Sequence, residues 1–309
     1  MDIAAILGAI MRSRWLAFTI IAGLSSGVAR AESHYLIVGG IGGQSQYEQR
    51  FLAQADTLAS AARRTLGDDS LVTVLSGDSA TREALTAELV RLAGSTGADD
   101  SVAIFLLGHG SHDGEVYKFN IPGPDIDGDA LAELINAIPA GRQLVVNATS
   151  ASGAILETWT RENRLLVTAT RSGGERNATR FGEYWAEAMS SDEADANKNG
   201  AITVQEAFEF AERKVADSYE GAGNLATEHP QLVGDAAGSF NVALLEARLA
   251  TTAELEVLIG ELTVLEEQIE ILRSQRDEME NDVYLGQLQE LLLELALVQR
   301  EIDDIRNAE

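Results

Sequence analysis

Apolar and polar positions along the chain follow two different periods in turn, which predict alternating strands and helices. Short apolar runs predict buried strands at residues 35–38, 71–75, 102–107, 144–146 and 165–169. Between these runs, apolar residues recur every three or four positions, as in helices with one buried face, at 46–66, 81–93, 128–138 and 179–189. This order predicts an α/β fold with a mostly parallel sheet sandwiched by helices.

The pattern changes from Leu244 onward, where Leu, Glu, Gln and Arg dominate and proline is absent. Apolar residues there alternate steps of three and four over 255–272 and again over 288–305, which predicts a coiled-coil seam. A step of five from Val283 to Leu288 shifts the register, so one helix with a stutter and an antiparallel helical hairpin both fit. A third alternative is that these leucines pack on the α/β domain.

These patterns divide the chain into three parts. Residues 32–243 form the predicted α/β domain, and residues 244–309 form a helical coiled-coil arm for self-association or for binding a partner protein. Residues 1–31 have the features of a signal peptide: Arg12 and Arg14 precede an apolar run, which ends in the small-x-small triplet Ala-Arg-Ala at 29–31. We therefore expect an exported protein, periplasmic or secreted, with an uncleaved N-terminal anchor as the alternative.

Composition narrows the classes of partner and of chemistry. The net charge is −26 and the acidic residues are spread along the whole chain, which disfavours binding to nucleic acid. The apolar run at 15–24 is shorter than the roughly 18 residues that a membrane-spanning helix needs, so no stable membrane span is expected. The chain has no cysteine, which excludes disulfides, cysteine-ligated zinc and a thiol nucleophile.

Candidate catalytic residues follow the third and fourth predicted strands. The third strand ends in Gly-His-Gly-Ser at 108–111, and the fourth ends in a turn rich in hydroxyl groups at 147–153. Open α/β sheets bind ligands at the carboxyl edge of their strands. If these two strands are neighbours, His109 and Ser150 face each other at that edge.

This arrangement resembles the caspase and legumain peptidase superfamily, the caspase-hemoglobinase fold. Its members carry His-Gly after one strand and Ala-Cys-x-x-Gly or Cys-x-Ser-Gly after the next. His109 and Gly110 match the first element, and Ser-Ala-Ser-Gly at 150–153 resembles the second with Ser150 in place of the cysteine. Residues 167–185 also look like the segment after the fifth strand in bacterial legumain-like proteins, and the resemblance covers roughly residues 34–240.

The resemblance implies a role for each matched residue. His109 would be the general base or acid, Ser150 the nucleophile, and the main-chain amides of Gly110 and Ser150 the oxyanion hole. Thr149 takes the nucleophile position instead if the turn is one residue tighter. A thiol with a pKa of about 8.5 ionises readily, whereas a serine needs a well-aligned base that a third group orients. No such third group is evident in the sequence.

We therefore expect a peptide- or protein-binding pseudoenzyme with little or no peptidase activity. Two alternatives stay open. One is an active peptidase or hydrolase that uses Ser150 and His109. The other is a scaffold protein whose coiled coil is the working part.

A candidate calcium site lies at residues 195–206, which fit the EF-hand loop position by position. The expected side-chain ligands occupy positions 1, 3, 5, 9 and 12, and the main-chain carbonyl comes from position 7: Asp195, Asn197, Asn199, Thr203, Glu206 and Ala201. With only two charged ligands, Ca²⁺ affinity should be about 10⁻⁴ to 10⁻³ M. The alternative is a turn that caps the following helix without metal.

Overall fold

The computed structural model describes residues 31–245, 253–276 and 279–307. The strands in this part of the chain are β1 (Ser33–Gly39), β2 (Val72–Leu75), β3 (Ser101–Leu107), β4 (Gly110–His112), β5 (Tyr117–Phe119), β6 (Ile126–Asp127), β7 (Arg142–Asn147), β8 (Arg164–Thr168), β9 (Ala201–Thr203), β10 (Gln231–Val233) and β11 (Asn241–Leu244). The α-helices are α1 (Ser45–Leu66), α2 (Arg82–Ser95), α3 (Gly128–Asn136), α4 (Leu156–Trp159), α5 (Phe181–Ala188), α6 (Val204–Gly221), α7 (Ala253–Ser274) and α8 (Asn281–Asn307).

The central sheet has six strands in the order β10-β8-β7-β3-β1-β2. All neighbouring pairs are parallel except β10 with β8. The five strands predicted from apolar runs are the five parallel ones, because a strand buried on both faces has no polar alternation. The predicted fold class, a mostly parallel sheet sandwiched by helices, is confirmed.

Each face of the sheet has its own core, because successive side chains of a strand point to opposite faces. Tyr35, Ile37 and Phe105 lie on one face and pack with α1, α5 and α6. Leu36 and Ile104 lie on the other face and pack with α2 and α3. The helices therefore hold the sheet from both sides and leave the carboxyl ends of its strands free to carry loops.

A small antiparallel sheet, β4-β5-β6, stands beside the end of β3. Its first strand begins at Gly110, directly after His109, and pairs with β5 from Gly110↔Phe119 to His112↔Tyr117. The main-chain amide of Asn120 donates to the His109 carbonyl at 3.1 Å. The small sheet therefore fixes the loop that carries His109.

The C-terminal helices α7 and α8 form an antiparallel hairpin. They pack against each other and are joined by about six residues, a length that is common between antiparallel helices. Buried seam residues are Leu262, Ile269, Leu272 and Ile302. α7 also contacts the short turn Ala237–Ser239, where a Cβ on Gly238 would lie 3.3 Å from Glu270 Cγ. The hairpin therefore packs on the α/β domain as well as on itself.

The predicted signal peptide lies outside the described residues, apart from Ala31, and β1 begins two residues later at Ser33. Among the helices of the described ranges, none combines the length and the apolar character needed to cross a bilayer.

Candidate functional site

The loops that carry His109 and Ser150 leave neighbouring strands at the same edge of the sheet. β3 and β7 pair in parallel, with Leu106 opposite Asn147. The loops also pack directly on each other, because a Cβ on Gly110 would lie 2.3 Å from the Ser150 carbonyl oxygen and 2.6 Å from Thr149 Oγ1. Only glycine allows this approach, and the structure therefore brings the two loops that carry the predicted residues into contact.

The imidazole of His109 is half-buried and lies against two aromatic rings. Its ring centroid is 4.9 Å from that of Tyr47 and 5.2 Å from that of Phe51, both in edge-on contact. Burial holds the pKa of His109 below its usual 6.5, the charge of Arg50 lowers it further, and a hydrogen bond from the ring to the Gly42 main chain opposes the shift. At neutral pH the imidazole is therefore uncharged and able to accept a proton.

A cation stands next to this histidine. The Arg50 guanidinium lies over the rings of Tyr47 and Phe51, at 5.1 and 5.5 Å from their centroids. Its Nη2 donates to the Thr179 carbonyl at 2.8 Å, whereas its buried Nε has no hydrogen-bond partner in the described part of the chain. In a protein of net charge −26, Arg50 gives this edge of the sheet a local positive charge.

The hydroxyl of Thr149 belongs to a buried polar network. It lies 2.7 Å from Tyr117 Oη and donates to Asn147 Oδ1 at 2.8 Å, and all three side chains are buried. Burial raises the pKa of Tyr117 to about 12, so its phenol stays protonated. The network holds the turn in place, and Ser150 follows it with only 2% of its surface exposed.

The turn after Ser150 packs on the segment that follows β8. Ala151 has a φ of 57°, which is unusual for a residue other than glycine, and its amide donates to the Glu175 carbonyl at 2.7 Å. A Cβ on Gly153 would lie 2.1 Å from the Ser172 amide nitrogen. The Ser-Ala-Ser-Gly turn therefore packs directly on the 167–185 segment. In the sequence, each of the two resembled the peptidase superfamily separately.

Two further histidines lie along this segment. His112 packs over Gly173, where a Cβ would lie 2.4 Å from the imidazole Nδ1. His229 pairs with Glu175 through an Nδ1 to Oε1 distance of 2.5 Å, and Arg171 contacts the same carboxylate at 3.1 Å. His229 therefore joins the stretch before β10 to the segment that follows β8.

The candidate calcium loop has a compact fold held by its own side chains. Asp195 accepts hydrogen bonds from the amides of Asn199 at 3.1 Å and Gly200 at 2.9 Å. Gly200 has a φ of 78°, as expected for the tight turn at position 6. Glu206 accepts from the Thr203 amide at 2.9 Å and from the Ala196 amide at 3.1 Å. The loop thus has the predicted turn, and Glu206 also caps α6.

A residue that the sequence did not suggest joins this loop from the C-terminal hairpin. Glu266 of α7 accepts hydrogen bonds from Asn197 Nδ2 at 3.2 Å and Asn199 Nδ2 at 3.0 Å. Burial raises the pKa of Glu266, the Asn199 bond opposes this, and the nearby carboxylates of Glu206 and Asp195 raise it further. Within the described residues, no three acidic, histidine or cysteine side chains are grouped so that they could hold a metal ion by themselves. An ion in this loop would therefore need amide and carbonyl oxygens in addition to the carboxylates of Asp195 and Glu206.

Sequence reasoning also missed the groups around His109 that come from α1 and the loop before it. Tyr47, Arg50 and Phe51 lie within about one turn at the start of α1, which follows β1. β1 is the other neighbour of β3, so its carboxyl end reaches the same edge as His109. An aromatic and arginine cluster directly after the first strand was the signal that could have identified them.

Comparison with known proteins gives one family match. A sequence profile described as the Peptidase C13 family matches residues 54–239. Among solved structures, protein GSU0716 from Geobacter sulfurreducens is similar, with a TM-score of 0.43 and 12% identity over 65% of this chain and 92% of that one. The Drosophila initiator caspase Dronc aligns with a TM-score of 0.39 and 10% identity over 66% of this chain and 79% of its own. No curated protein matches the sequence.

Proposed function

The chain belongs to the Peptidase C13 family, and we propose that it is an exported homologue that binds peptides beside His109 and hydrolyses them poorly. The observation that carries this proposal is the environment of the His109 imidazole. A neutral main-chain carbonyl, at Gly42, orients the ring, while burial and the charge of Arg50 lower its pKa. The orienting group in serine hydrolases is typically a carboxylate, which stabilises the imidazolium that forms during the reaction.

These features weaken the activation of an alcohol more than that of a thiol. An imidazole with a lowered pKa holds an abstracted proton less tightly, and the hydroxyl of Ser150 gives up its proton far less readily than a thiol does. In the proposed complex the peptide lies at the carboxyl edge of the sheet, where the loops that carry His109 and Ser150 are in contact. Arg50 adds a cation that favours ligands with a carboxylate group.

Labelling with a fluorophosphonate tests whether Ser150 is an activated nucleophile. We expect no labelling of the wild-type protein, and hydrolysis of an internally quenched peptide library no faster than with Ser150→Ala. Labelling that both His109→Ala and Ser150→Ala abolish would instead establish the alternative, an active serine hydrolase. Titration of the same library peptides into the protein, followed by fluorescence anisotropy, checks that the protein binds them and that Arg50→Gln weakens binding.

Export is part of the same proposal. The signal-like segment at 1–31 ends just before β1, so cleavage after Ala31 leaves the α/β domain intact. The intact mass of the protein recovered outside the cytoplasm is expected to correspond to a chain that begins at Glu32. A chain that keeps residues 1–31 would favour the anchor alternative.

We also propose that the loop at 195–206 binds Ca²⁺ and that the ion braces the fold. The side chains of Asn197 and Asn199 donate through Nδ2 to Glu266, and their Oδ1 atoms accept from main-chain amides of the loop. Glu266 therefore orients the side-chain amides of Asn197 and Asn199 so that their oxygens face the inside of the loop. A calcium ligand in an EF-hand loop has to face the same way. The hairpin would then contribute to the site without coordinating the ion.

Calorimetric titration with CaCl₂ tests this site. Wild-type protein is expected to bind one Ca²⁺ with a Kd of about 10⁻⁴ to 10⁻³ M. Glu206→Gln should abolish binding, and Glu266→Gln should weaken it about 10-fold, as loss of a partner that orients ligands does. Glu261→Gln, on the same helix and exposed, is the matched control. No calcium binding by the wild-type protein would favour the helix-capping alternative, in which glutamine at 206 can still cap.

The helical hairpin is the third part of the proposed function, as an element that associates with another helix. α7 and α8 pair along one seam, and other apolar side chains of the pair remain exposed. A two-helix pair with a second apolar face is typical of a larger helical assembly.

A further inference from the structure

A second apolar stripe runs along the C-terminal hairpin, apart from the seam between its helices. Val257, Val264 and Ile271 follow one another at steps of seven along α7 and are 61%, 51% and 52% exposed. On α8, Leu293 and Leu297 are 63% and 45% exposed. A seven-residue repeat keeps side chains on one face of a helix, so α7 presents a continuous apolar line.

This stripe faces away from the α/β domain. Glu266 and Glu270 of α7 contact the domain, and on a helix of 3.6 residues per turn they lie about 160° and about 120° around the axis from Val264. Docking of the hairpin on the domain therefore leaves the stripe uncovered. Neither the contact with the domain nor the seam between α7 and α8 buries the apolar side chains of the stripe.

The exposed stripe borders a groove between the two helices. The groove has a volume of about 630 Å³. The residues that line it include Val257, Gly260, Val264, Leu297, Glu261 and Glu294. Gly260 has no neighbour within 4 Å of the position of a Cβ, so the α7 surface is open to close approach there. Apolar walls with acidic sides are suited to an amphipathic helix that lies in the groove.

Charge decides between the possible occupants. Residues 253–276 and 279–307 contain 13 Asp and Glu and only four Arg, without Lys or His. A second copy of the hairpin would bring its own acidic residues against Glu261 and Glu294, and like charges beside a helical seam oppose pairing. The net charge of −26 adds to this repulsion between copies.

We infer that the groove binds a cationic amphipathic helix from another protein. The inference rests on the proposed role of the hairpin in association and names its partner. Apolar side chains of the partner fill the space between Val264 and Leu297, and its Lys or Arg side chains contact Glu261 and Glu294. Recognition thus combines apolar burial with charges at the rim, which mainly set specificity and salt dependence.

Fluorescence anisotropy with two matched synthetic helices tests the inference on the full protein. Both probes carry leucine at heptad positions a and d; one has lysine at the flanking positions and the other has glutamate. The lysine probe is expected to bind, and more weakly as salt rises, whereas the glutamate probe is not. The double variant Glu261→Lys/Glu294→Lys should reverse this preference.

Two single variants separate the groove from the general acidity of the protein. Val264→Asp should weaken binding of the lysine probe at least about 10-fold, because it puts a charge in the apolar groove. Val90→Asp is the matched control: Val90 is 58% exposed on α2, outside the hairpin, and its replacement should leave binding unchanged. Equal binding of the lysine probe to the Val264→Asp protein would overturn the inference.

Light scattering distinguishes failure of this inference from failure of the association role. A dimer that Val264→Asp dissociates would show that a second copy fills the groove, so the association role would stand and the cationic partner would be wrong. A monomer that binds neither probe would overturn both. A monomer that binds the lysine probe, with the variant pattern above, is the expected result.

Discussion

Replacement of Ser150 by cysteine is expected to raise peptide hydrolysis at least about 100-fold over the Ser150→Ala protein, the lower end of what a positioned general base contributes. The thiol ionises far more readily than the alcohol, so the weak base at His109 suffices for it. The rest of the site already stands at the sheet edge, with Gly110 against the Ser150 carbonyl. Initial rates on an internally quenched peptide library measure this gain.

The pH profile of the Ser150→Cys protein should report the histidine. Because burial lowers the pKa of His109, its neutral form persists to a pH below 6.5. Activity should therefore fall only when the pH drops below 6.5, and His109→Gln should remove both the activity and this acid limb. An acid limb with a midpoint above 6.5 would contradict the assigned environment of the imidazole.

Thr149→Cys is the positional control for this experiment. The hydroxyl of Thr149 is buried and bonded to Tyr117 and Asn147, so a thiol there should stay inert and destabilise the turn. Activity in Thr149→Cys but not in Ser150→Cys would place the nucleophile one residue earlier. Inactivity of both variants would show that the loss of the cysteine is not what limits catalysis.

Replacement of Gly110 by alanine should destabilise the protein by about 1–3 kcal/mol or more, because it forces apart two packed loops. The added Cβ would lie 2.3 Å from the Ser150 carbonyl oxygen, 2.6 Å from Thr149 Oγ1 and 2.7 Å from the Tyr117 ring. None of these groups can easily withdraw, since one is main chain and two belong to a buried network. Urea unfolding followed by circular dichroism measures the change.

Gly94→Ala is the matched control for Gly110→Ala. Gly94 lies in α2 with nothing within 4 Å of a Cβ, so alanine should be neutral or stabilise by up to about 1 kcal/mol. If both variants unfold at the wild-type urea concentration, the His109 and Ser150 loops are not in contact. In the Ser150→Cys background, Gly110→Ala should also abolish the gained activity.

The sequence by itself determined the five parallel strands of the sheet and the helices between them. Apolar runs of strand length and helical periodicities are local properties, and in this chain they agree with the tertiary packing. The pairing of β3 with β7 could also be predicted, because the His-Gly and Ser-Gly motifs resemble those that follow two successive strands in related peptidases. Export and calcium binding remain predictions from local motifs.

Only the tertiary structure decided which groups surround those motifs. Gly42 and Arg50 reach His109 from the segment after β1, and Glu266 reaches the 195–206 loop from about 60 residues away. Likewise, a heptad pattern with a register shift fits one bent helix as well as two paired helices, and the structure has the hairpin. In each case the reason is the same: periodicity records which face of an element is buried, but it does not record what that face meets.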